Sequence, residues 1–294
     1  MELKYIVKEN DKNKTIKQVL KNEFKISNRL ILKLKNNNKI FVNNKNEWLN
    51  YELKENNTLT VNLDFIEDNS NIVSTKMELD IIYEDEAFLV INKPAGIAIH
   101  PSILHFENSL SNGVKFYFDN IGLHRLIRPV NRLDRNTSGL VVFAKNEYVQ
   151  ESLIQQMSKN IFYKEYLCLV NGCFNDKHGI INAPIGRKND SIIERCISFE
   201  NGQESITEYE LLKSFNNFSL VKCTLKTGRT HQIRVHMAYI GHPLLGDDLY
   251  GIKSSLINRQ ALHSYKIEFI HPISNEKVCF TSNLPDDMQN IINM

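Results

Sequence analysis

The chain has 294 residues, of which 42% are hydrophobic and 24% are charged, which is the composition of an ordinary globular protein. It contains no run of about 18 apolar residues and starts without the apolar core of a signal peptide, so we expect no membrane span and a cytoplasmic location. The five cysteines form no Cys-x-x-Cys pair, which argues against a zinc site or a disulfide framework.

The first 65 residues carry an excess of positive charge. They hold 13 Lys and Arg against 8 Asp and Glu, whereas the net charge of the whole chain is only +2. Within residues 12–45 the one acidic residue is Glu23. A basic segment on a near-neutral body is typical of a protein that binds a polyanion such as nucleic acid. A solvated lysine-rich face would give the same composition, and charge alone does not separate the two interpretations.

Two short helices are predicted in this basic segment, over residues 15–22 and 27–35. Thr15 and Ser27 are suitable N-cap residues, and apolar residues recur at helical spacing in both segments. A strand and tight turn follow, and a second strand is predicted over residues 59–63.

This order of elements resembles the small RNA-binding module of the ribosomal-protein S-four type, over roughly residues 12–65. The resemblance implies that basic side chains on the outer helix faces meet RNA phosphate, which gives affinity without sequence readout. Arg29 and Lys33 on the second helix are our candidates for that contact. We therefore place an RNA-binding module at residues 1–65.

A polar linker over residues 66–78 separates this module from a second domain, residues 79–294. The second domain opens with a strand over residues 88–92, which has an almost wholly apolar sequence. Pro94 and Gly96 then predict a tight turn between two apolar runs.

The most informative stretch is Arg-Leu-Asp-Arg-Asn-Thr-Ser-Gly at residues 132–139. It places Asp134 between two arginines, in a polar turn that leads into an apolar strand over residues 140–144. Nearby positive charge keeps a carboxylate ionised, and an oriented carboxylate can act as a nucleophile or an electrostatic stabiliser. The alternative is an aspartate that only orders its own turn.

Two later segments could complete a site. A strand is predicted within residues 160–172, with Tyr166 on one face. Further on, Thr230 is the predicted N-cap of a helix whose first turn contains His231 and Arg234 on a shared face. Backbone N–H groups favour an anion there, which could be a phosphate or the Asp134 carboxylate. A generic phosphate-binding helix is the alternative interpretation.

Together these segments resemble the RluA family of RNA pseudouridine synthases. The family signature is His-Arg-Leu-Asp, two free positions and Thr-Ser-Gly, and the chain departs from it at Asn131, where the family usually has histidine. The Lys-Pro-x-Gly turn at residues 93–96, the Lys-x-Tyr at 164–166 and the Arg-Thr-His-Gln-x-Arg run at 229–234 follow in the family's order. The resemblance spans about residues 79–272.

The resemblance implies a role for each matched residue. Asp134 would be the catalytic residue, with Arg234 as its ionic partner. Arg132 would help to admit the target base, and Tyr166 would stack on that base after it has left the RNA helix. The second-domain residues that would contact RNA are Arg187, Arg229 and His231.

The implied reaction converts uridine in RNA to pseudouridine: the N1–C1′ bond of the nucleoside breaks and C5 joins C1′. Asp134 could attack C1′, attack C6 of uracil, or abstract a sugar proton, and the sequence does not choose among these routes. Neither a nucleotide-binding nor a metal-binding motif occurs, so we expect no cofactor. A front-end RNA-binding module on this domain resembles the family's ribosomal branch, which implies large-subunit ribosomal RNA as the substrate, with transfer RNA as the alternative. We expect a monomer.

The implied fold is α+β, with a mainly antiparallel mixed sheet around a central RNA-binding cleft. A glycosidase or base glycosylase is the rival enzyme class, but such hydrolases usually need a second carboxylate, and none lies in the three signatures. The rival outside enzymes is an RNA-binding assembly factor. The set of Asp134, Tyr166 and Arg234 argues against that rival.

Overall fold

The structure is a computed structural model that describes residues 1–102, 106–174 and 176–294. Its first part comprises β1 (Glu2–Ile6), α1 (Ile16–Asn22), α2 (Asn28–Asn36), β2 (Ile40–Val42), β3 (Lys45–Asn46) and β4 (Thr58–Asn62). The strands of the second part are β5 (Ile81–Glu84), β6 (Phe88–Lys93), β7 (Arg128–Pro129), β8 (Ser138–Ala144), β9 (Tyr163–Asn171), β10 (His178–Asn182), β11 (Ile185–Arg187), β12 (Arg195–Ile197), β13 (Ile206–Ser214), β14 (Phe218–Leu225), β15 (Leu262–Ile270) and β16 (Lys277–Thr281). Its helices are α3 (Leu110–Asn120), α4 (Glu147–Ser158), α5 (Gln232–Tyr239) and α6 (Asp286–Ile292). Across these described ranges, no helix is both long and apolar enough to span a membrane.

The N-terminal module packs two helices on a small sheet with the strand order β1-β4-β2-β3. Both predicted helices are confirmed, and so are their caps: Thr15 accepts a hydrogen bond from the Gln18 amide, and Ser27 accepts one from the Leu30 amide. Strand β1 was not predicted. It pairs with β4 along its whole length, so the first residues of the chain complete the sheet.

The second part is built on one large sheet with the order β10-β13-β14-β9-β15-β8-β6-β5, with β16 added beside β15 and β7 beside β8. The pairing of β15 with β8 is parallel and the other pairings are antiparallel. The expected α+β fold with a mainly antiparallel mixed sheet is therefore confirmed. A separate hairpin joins β11 to β12.

Strand β8 lies inside this sheet, between β15 and β6, and all seven of its residues are buried. Val141 and Phe143 belong to the hydrophobic cluster that includes α3, whereas Val142 belongs to the cluster that includes α4. Since both faces are covered, the strand is apolar throughout rather than alternating. The start of β8, where the Thr-Ser-Gly motif lies, is thereby fixed in a rigid core.

The two parts contact each other through ion pairs. Lys33 on α2 lies 2.7 Å from Glu67 and 3.0 Å from Glu147 on α4. Arg29 lies 2.8 Å from the other oxygen of Glu147. Residues 66–78, expected to be a polar linker, form no helix or strand, but Glu67 is buried and also accepts two hydrogen bonds from Arg128, at 2.6 and 2.7 Å.

Candidate active site

The loop that carries Asp134 is fixed at its two ends by β8. Asn131, buried at the position where the resembled family has histidine, donates to the Leu140 carbonyl (3.0 Å) and accepts from the Val142 amide (2.9 Å). At the other end Gly139 has φ +108°, and a Cβ there would lie 2.3 Å from the Ser264 carbonyl oxygen on β15. Only glycine fits such a close approach, which explains the last residue of the Thr-Ser-Gly motif.

A buried lysine holds the middle of the same loop. Lys93, at the end of β6, is 0% exposed and donates to the carbonyls of Pro94 (2.8 Å), Ile97 (2.9 Å) and Arg135 (3.0 Å). Arg135 also pairs with Gly96 through its own main chain and side chain. The predicted turn at Pro94 and Gly96 therefore supports the backbone next to Asp134, a role that the sequence pattern did not reveal.

Asp134 meets two side chains from α5 and its N-cap. Arg234 Nη1 lies 3.3 Å from Asp134 Oδ2, and His231 Nε2 lies 3.7 Å from the same oxygen. Both groups approach one carboxylate oxygen. Within the described residues, no hydrogen bond is made to Oδ1, so that oxygen is free to face the cleft.

Arg234 is held in place by a second carboxylate, Asp247. The pair is bidentate, with Nε to Oδ2 at 2.7 Å and Nη2 to Oδ1 at 2.8 Å, and the Asp247 side chain is 0% exposed. Burial by itself would lower the pKa of Arg234, but the hydrogen-bonded Asp247 carboxylate outweighs it and raises that pKa. The guanidinium is therefore a fixed positive charge that presents Nη1 to Asp134.

The start of α5 differs from the prediction. The N-cap residue is His231 rather than Thr230, and His231 has a left-handed backbone with φ +59° and no side-chain cap. Gln232 fixes this turn, because its amide oxygen accepts from Thr227 and from the Arg229 amide while its nitrogen donates to the Ile206 carbonyl. Left-handed conformations of non-glycine residues concentrate at functional sites, since the surrounding contacts must sustain their cost.

Tyr166 lies on the wall of a cleft of about 940 Å³ that also contains Asp134 and Arg234. The tyrosine is buried on β9, and burial raises the pKa of its phenol, so it is neutral at physiological pH. Burial likewise lowers the pKa of His231, while Asp134 opposes this change. The cleft therefore brings together the Asp134 carboxylate, the Arg234 guanidinium and the Tyr166 ring from separate parts of the chain.

A second, polar pocket of about 370 Å³ adjoins the cleft beside the β11–β12 hairpin. Its wall contains four arginines and no carboxylate residue; the arginines are Arg132, Arg187, Arg195 and Arg229. For Arg132, Arg187 and Arg229, no carboxylate lies within salt-bridge distance among the described residues. Arg195 was not singled out from the sequence, although it lies opposite Arg187 in the hairpin.

The predicted site residues thus fall into two places. Asp134, Tyr166 and the other second-domain candidates line the cleft or the adjoining pocket. Arg29 and Lys33 lie instead at the contact between the two parts of the chain, paired with Glu147 and Glu67. Their contact with RNA stays a prediction. The Arg29 side chain is 77% exposed and could add a phosphate to its ion pair, whereas Lys33, held between two carboxylates, would have to exchange a partner.

Comparison with known proteins gives a consistent result. A family model described as RNA pseudouridylate synthase matches residues 87–239. The uncharacterized RNA pseudouridine synthases YjbO and YhcT of Bacillus subtilis (strain 168) are each 38% identical to this chain. The alignments cover 92% and 98% of this chain, and 95% and 96% of the two relatives.

Two further proteins are similar: one has a name that states its substrate, and the other has a solved structure. Ribosomal large subunit pseudouridine synthase D of Zymomonas mobilis is 38% identical, over 74% of this chain and 72% of its own length. The structure of human RNA Pseudouridylate Synthase Domain Containing 1 superimposes with a TM-score of 0.58 at 25% identity. That match covers 74% of this chain and 94% of the human chain.

Proposed function

The chain belongs to the RNA pseudouridylate synthase family, and from this premise we propose that it isomerises uridines of large-subunit ribosomal RNA to pseudouridine in the cytoplasm, as a monomer. Several similar bacterial proteins are named ribosomal large subunit pseudouridine synthase D, which supports this choice of RNA. The basic N-terminal module supports it as well. Transfer RNA is the alternative substrate.

We propose that Asp134 carries the reaction. The observation behind this proposal is the one-sided arrangement of its carboxylate. Arg234 and His231 both approach Oδ2, so the carboxylate is oriented and electrostatically supported, while Oδ1 accepts no hydrogen bond from the described residues. A charge held in a fixed, partly buried position acts more strongly than the same charge in water. This arrangement serves attack on C1′, attack on C6 and removal of a sugar proton alike.

The cleft has the size and the lining that a detached nucleotide needs. Pockets of about 300–1,000 Å³ hold small ligands, and this cleft of about 940 Å³ lies inside that range. Extruding a nucleotide from its stack costs a few kcal/mol, which stacking on an aromatic ring helps to offset. We propose that Tyr166 supplies that ring and that Arg132, an exposed residue of the cleft lining, helps to admit the base.

The arginine pocket fits the RNA backbone beside the extruded nucleotide. It faces solvent with several positive charges and has no carboxylate on its wall to neutralise them. We propose that Arg187 and Arg229 contact phosphate groups there, which positions the strand without reading its sequence. His231, which lines the cleft next to Thr230 on the border with the pocket, would face the sugar of the target nucleotide.

The test uses ribosomal RNA labelled with tritium at C5 of uridine, taken from cells that lack the protein. Formation of the C5–C1′ bond releases the label to water, so the wild type should release tritium and Asp134→Asn should not. Asp286→Asn is a matched control, because Asp286 is an exposed aspartate in the first turn of α6, away from the cleft. This control should keep wild-type activity.

Two other outcomes would contradict the proposal. Retained RNA binding without tritium release by the wild type, on both ribosomal and transfer RNA, would favour an RNA-binding factor. Free uracil in solution would indicate a hydrolase instead. The uracil measurement is necessary because Glu204, a second carboxylate that the sequence signatures did not include, also lies on the cleft wall.

A further inference from the structure

Tyr250 contacts both of the groups that approach Asp134. Its hydroxyl oxygen lies 2.7 Å from His231 Nδ1, and its ring lies against the Arg234 guanidinium, with 5.0 Å between the guanidinium carbon and the ring centroid. The residue follows Asp247, the buried partner of Arg234, by three positions. One short segment after α5 therefore reaches both supports of the carboxylate.

The hydrogen bonds around the Tyr250 hydroxyl determine which atom accepts its proton. The backbone N–H of Arg195 donates to the Tyr250 oxygen at 2.8 Å. An amide N–H can only donate, so the phenol is the acceptor in that bond and keeps its own proton for another partner. Within the described residues, the acceptor that this proton reaches is His231 Nδ1.

The proton position on His231 follows from this chain of contacts. A neutral imidazole carries its proton on one nitrogen and accepts on the other. If Nδ1 accepts from Tyr250, the proton of the neutral ring is on Nε2, and Nε2 is the atom that lies 3.7 Å from Asp134 Oδ2. The opposite tautomer would direct a lone pair at the carboxylate, which is electrostatically unfavourable.

We propose that Tyr250 is a positioning residue for the isomerisation, which fixes His231 as the Nε2–H tautomer and so aims an N–H group at Asp134. The inference rests on the proposed role of Asp134. Three observations carry it: the contact of Arg195 with Tyr250, the contact of Tyr250 with His231, and the left-handed backbone at φ +59° that holds His231 in the turn.

The neutral form of His231 is the form to which this argument applies. Burial lowers the pKa of His231 below its ordinary value of 6.5, and the nearby Arg234 guanidinium lowers it further, although Asp134 acts in the opposite direction. At neutral pH the ring is therefore uncharged, and the choice of tautomer decides what it presents to the carboxylate. Hydrogen bonding of the second ring nitrogen is the usual way in which proteins make that choice.

The same contacts connect the catalytic carboxylate to the arginine pocket. Arg195 belongs to β12, and its side chain lines that pocket while its backbone N–H fixes the Tyr250 hydroxyl. RNA that binds in the pocket would therefore contact β12, the strand whose Arg195 N–H donates to the Tyr250 hydroxyl. We expect the hydroxyl to affect the chemical step more than the strength of RNA binding.

The experiment replaces the hydroxyl alone, in Tyr250→Phe. The ring remains, so its packing on Arg234 and the fold should be kept. With the RNA concentration varied up to saturation in the tritium assay, kcat should fall about tenfold, the effect of losing the hydrogen bond to His231, while KM changes less than about twofold. Tyr239→Phe is the matched control, because Tyr239 is an exposed residue at the end of α5, and it should match the wild type in both constants.

The second readout is the ¹⁵N NMR spectrum of histidine-labelled protein, in which the two ring nitrogens report the tautomer directly. The signals of His231 are assigned by their loss in His231→Gln. We expect the Nε2–H tautomer in the wild type and a mixture of tautomers in Tyr250→Phe. The same tautomer in both proteins, or the Nδ1–H form in the wild type, would overturn the inference.

The kinetic split separates this role from a purely structural one. An unchanged kcat with a raised KM would mean that the hydroxyl only holds the β12 hairpin against RNA, and would also overturn the inference. The NMR readout requires no RNA. A wild type that is inactive on ribosomal RNA would therefore contradict the proposed substrate, while the spectra would still decide the tautomer.

Discussion

Replacing Asp247 with asparagine tests how the site holds its arginine. The Asp247 carboxylate accepts two hydrogen bonds from Arg234, at 2.7 and 2.8 Å, and its Oδ1 also accepts the amides of Leu249 (3.1 Å) and Tyr250 (3.2 Å). The Asp247 side chain is 0% exposed and that of Arg234 is 7% exposed. An amide would keep the size of the group and remove the charge opposite a buried guanidinium.

The expected loss of stability is large for a single isosteric change. Removing one partner of a buried ion pair costs about 3–5 kcal/mol, because the remaining charge stays buried without compensation. Asp134 remains 3.3 Å from Nη1 and is partly exposed, so it offsets some of this cost, and we expect about 3 kcal/mol. At about 2–4 °C per kcal/mol for a domain of this size, the melting temperature should fall by about 6–12 °C.

Urea unfolding and tritium release under saturating RNA measure the two consequences of Asp247→Asn. We expect kcat to fall by at least about tenfold, since Arg234 loses the contact that fixes its orientation toward Asp134. Asp248→Asn is the matched control, because the neighbouring carboxylate is exposed, and it should change stability by less than about 0.5 kcal/mol. A loss below about 1 kcal/mol in Asp247→Asn, or a wild-type kcat, would refute this reasoning.

Three other predictions address the domain contact, the core and the RNA surface. Glu67→Gln should lower the free energy of unfolding by about 3 kcal/mol, because Arg128 and Lys33 share its carboxylate. A loss below about 1 kcal/mol in urea unfolding would contradict this prediction. Burial lowers the pKa of His263 to about 4 from an ordinary value of 6.5. The His263 imidazole therefore binds a proton more tightly in the unfolded chain than in the folded one. Its contribution to stability is complete above about pH 6.5 and is lost as the pH falls toward 4. The free energy of unfolding should drop by about 2 kcal/mol between pH 8 and pH 5. His263→Gln should remove that part of the pH dependence, and an unchanged pH dependence would refute it. Arg187→Gln should reduce the slope of log affinity for RNA against log salt by about one, and an unchanged slope would exclude a phosphate contact.

The parts of the fold that the sequence predicted are governed by local rules. The caps at Thr15 and Ser27 satisfy amides three residues away, and the apolar run of β8 marks a strand buried on both faces. The turn at Pro94 and Gly96 likewise follows from the residues in it. In each case the sequence neighbours contain the physical cause, so the pattern is readable without the tertiary structure.

The parts that escaped prediction depend on partners distant in sequence. Lys93 meets the Arg135 carbonyl 42 residues later, and the Tyr250 hydroxyl meets the Arg195 amide 55 residues earlier. Thr230 has the right residue type for an N-cap, but tertiary contacts at Gln232 and His231 move the helix start by one residue. The family resemblance predicted that Arg234 pairs with Asp134. No sequence signal assigned a role to Asp247 or Tyr250.

The charge pattern of the sequence could not separate basic residues that form internal ion pairs from those that are available to bind phosphate. The structure separates them by whether a carboxylate lies nearby. Arg128 and Arg234 each form a buried ion pair with a carboxylate, Glu67 and Asp247 respectively, and so contribute to the folded structure. Arg187 and Arg229 line a pocket that has no carboxylate on its wall, so a phosphate group could neutralise them at little electrostatic cost.

Arg29 and Lys33 resemble the first group, because Glu147 lies within 3.0 Å of both. The carboxylates of Glu147 and Glu67 already neutralise much of the charge of both cations, so the net gain from a phosphate contact there would be smaller than in the arginine pocket. We therefore infer that the pocket beside the cleft, rather than the face of α2 that meets Glu147, supplies most of the electrostatic attraction for RNA close to Asp134.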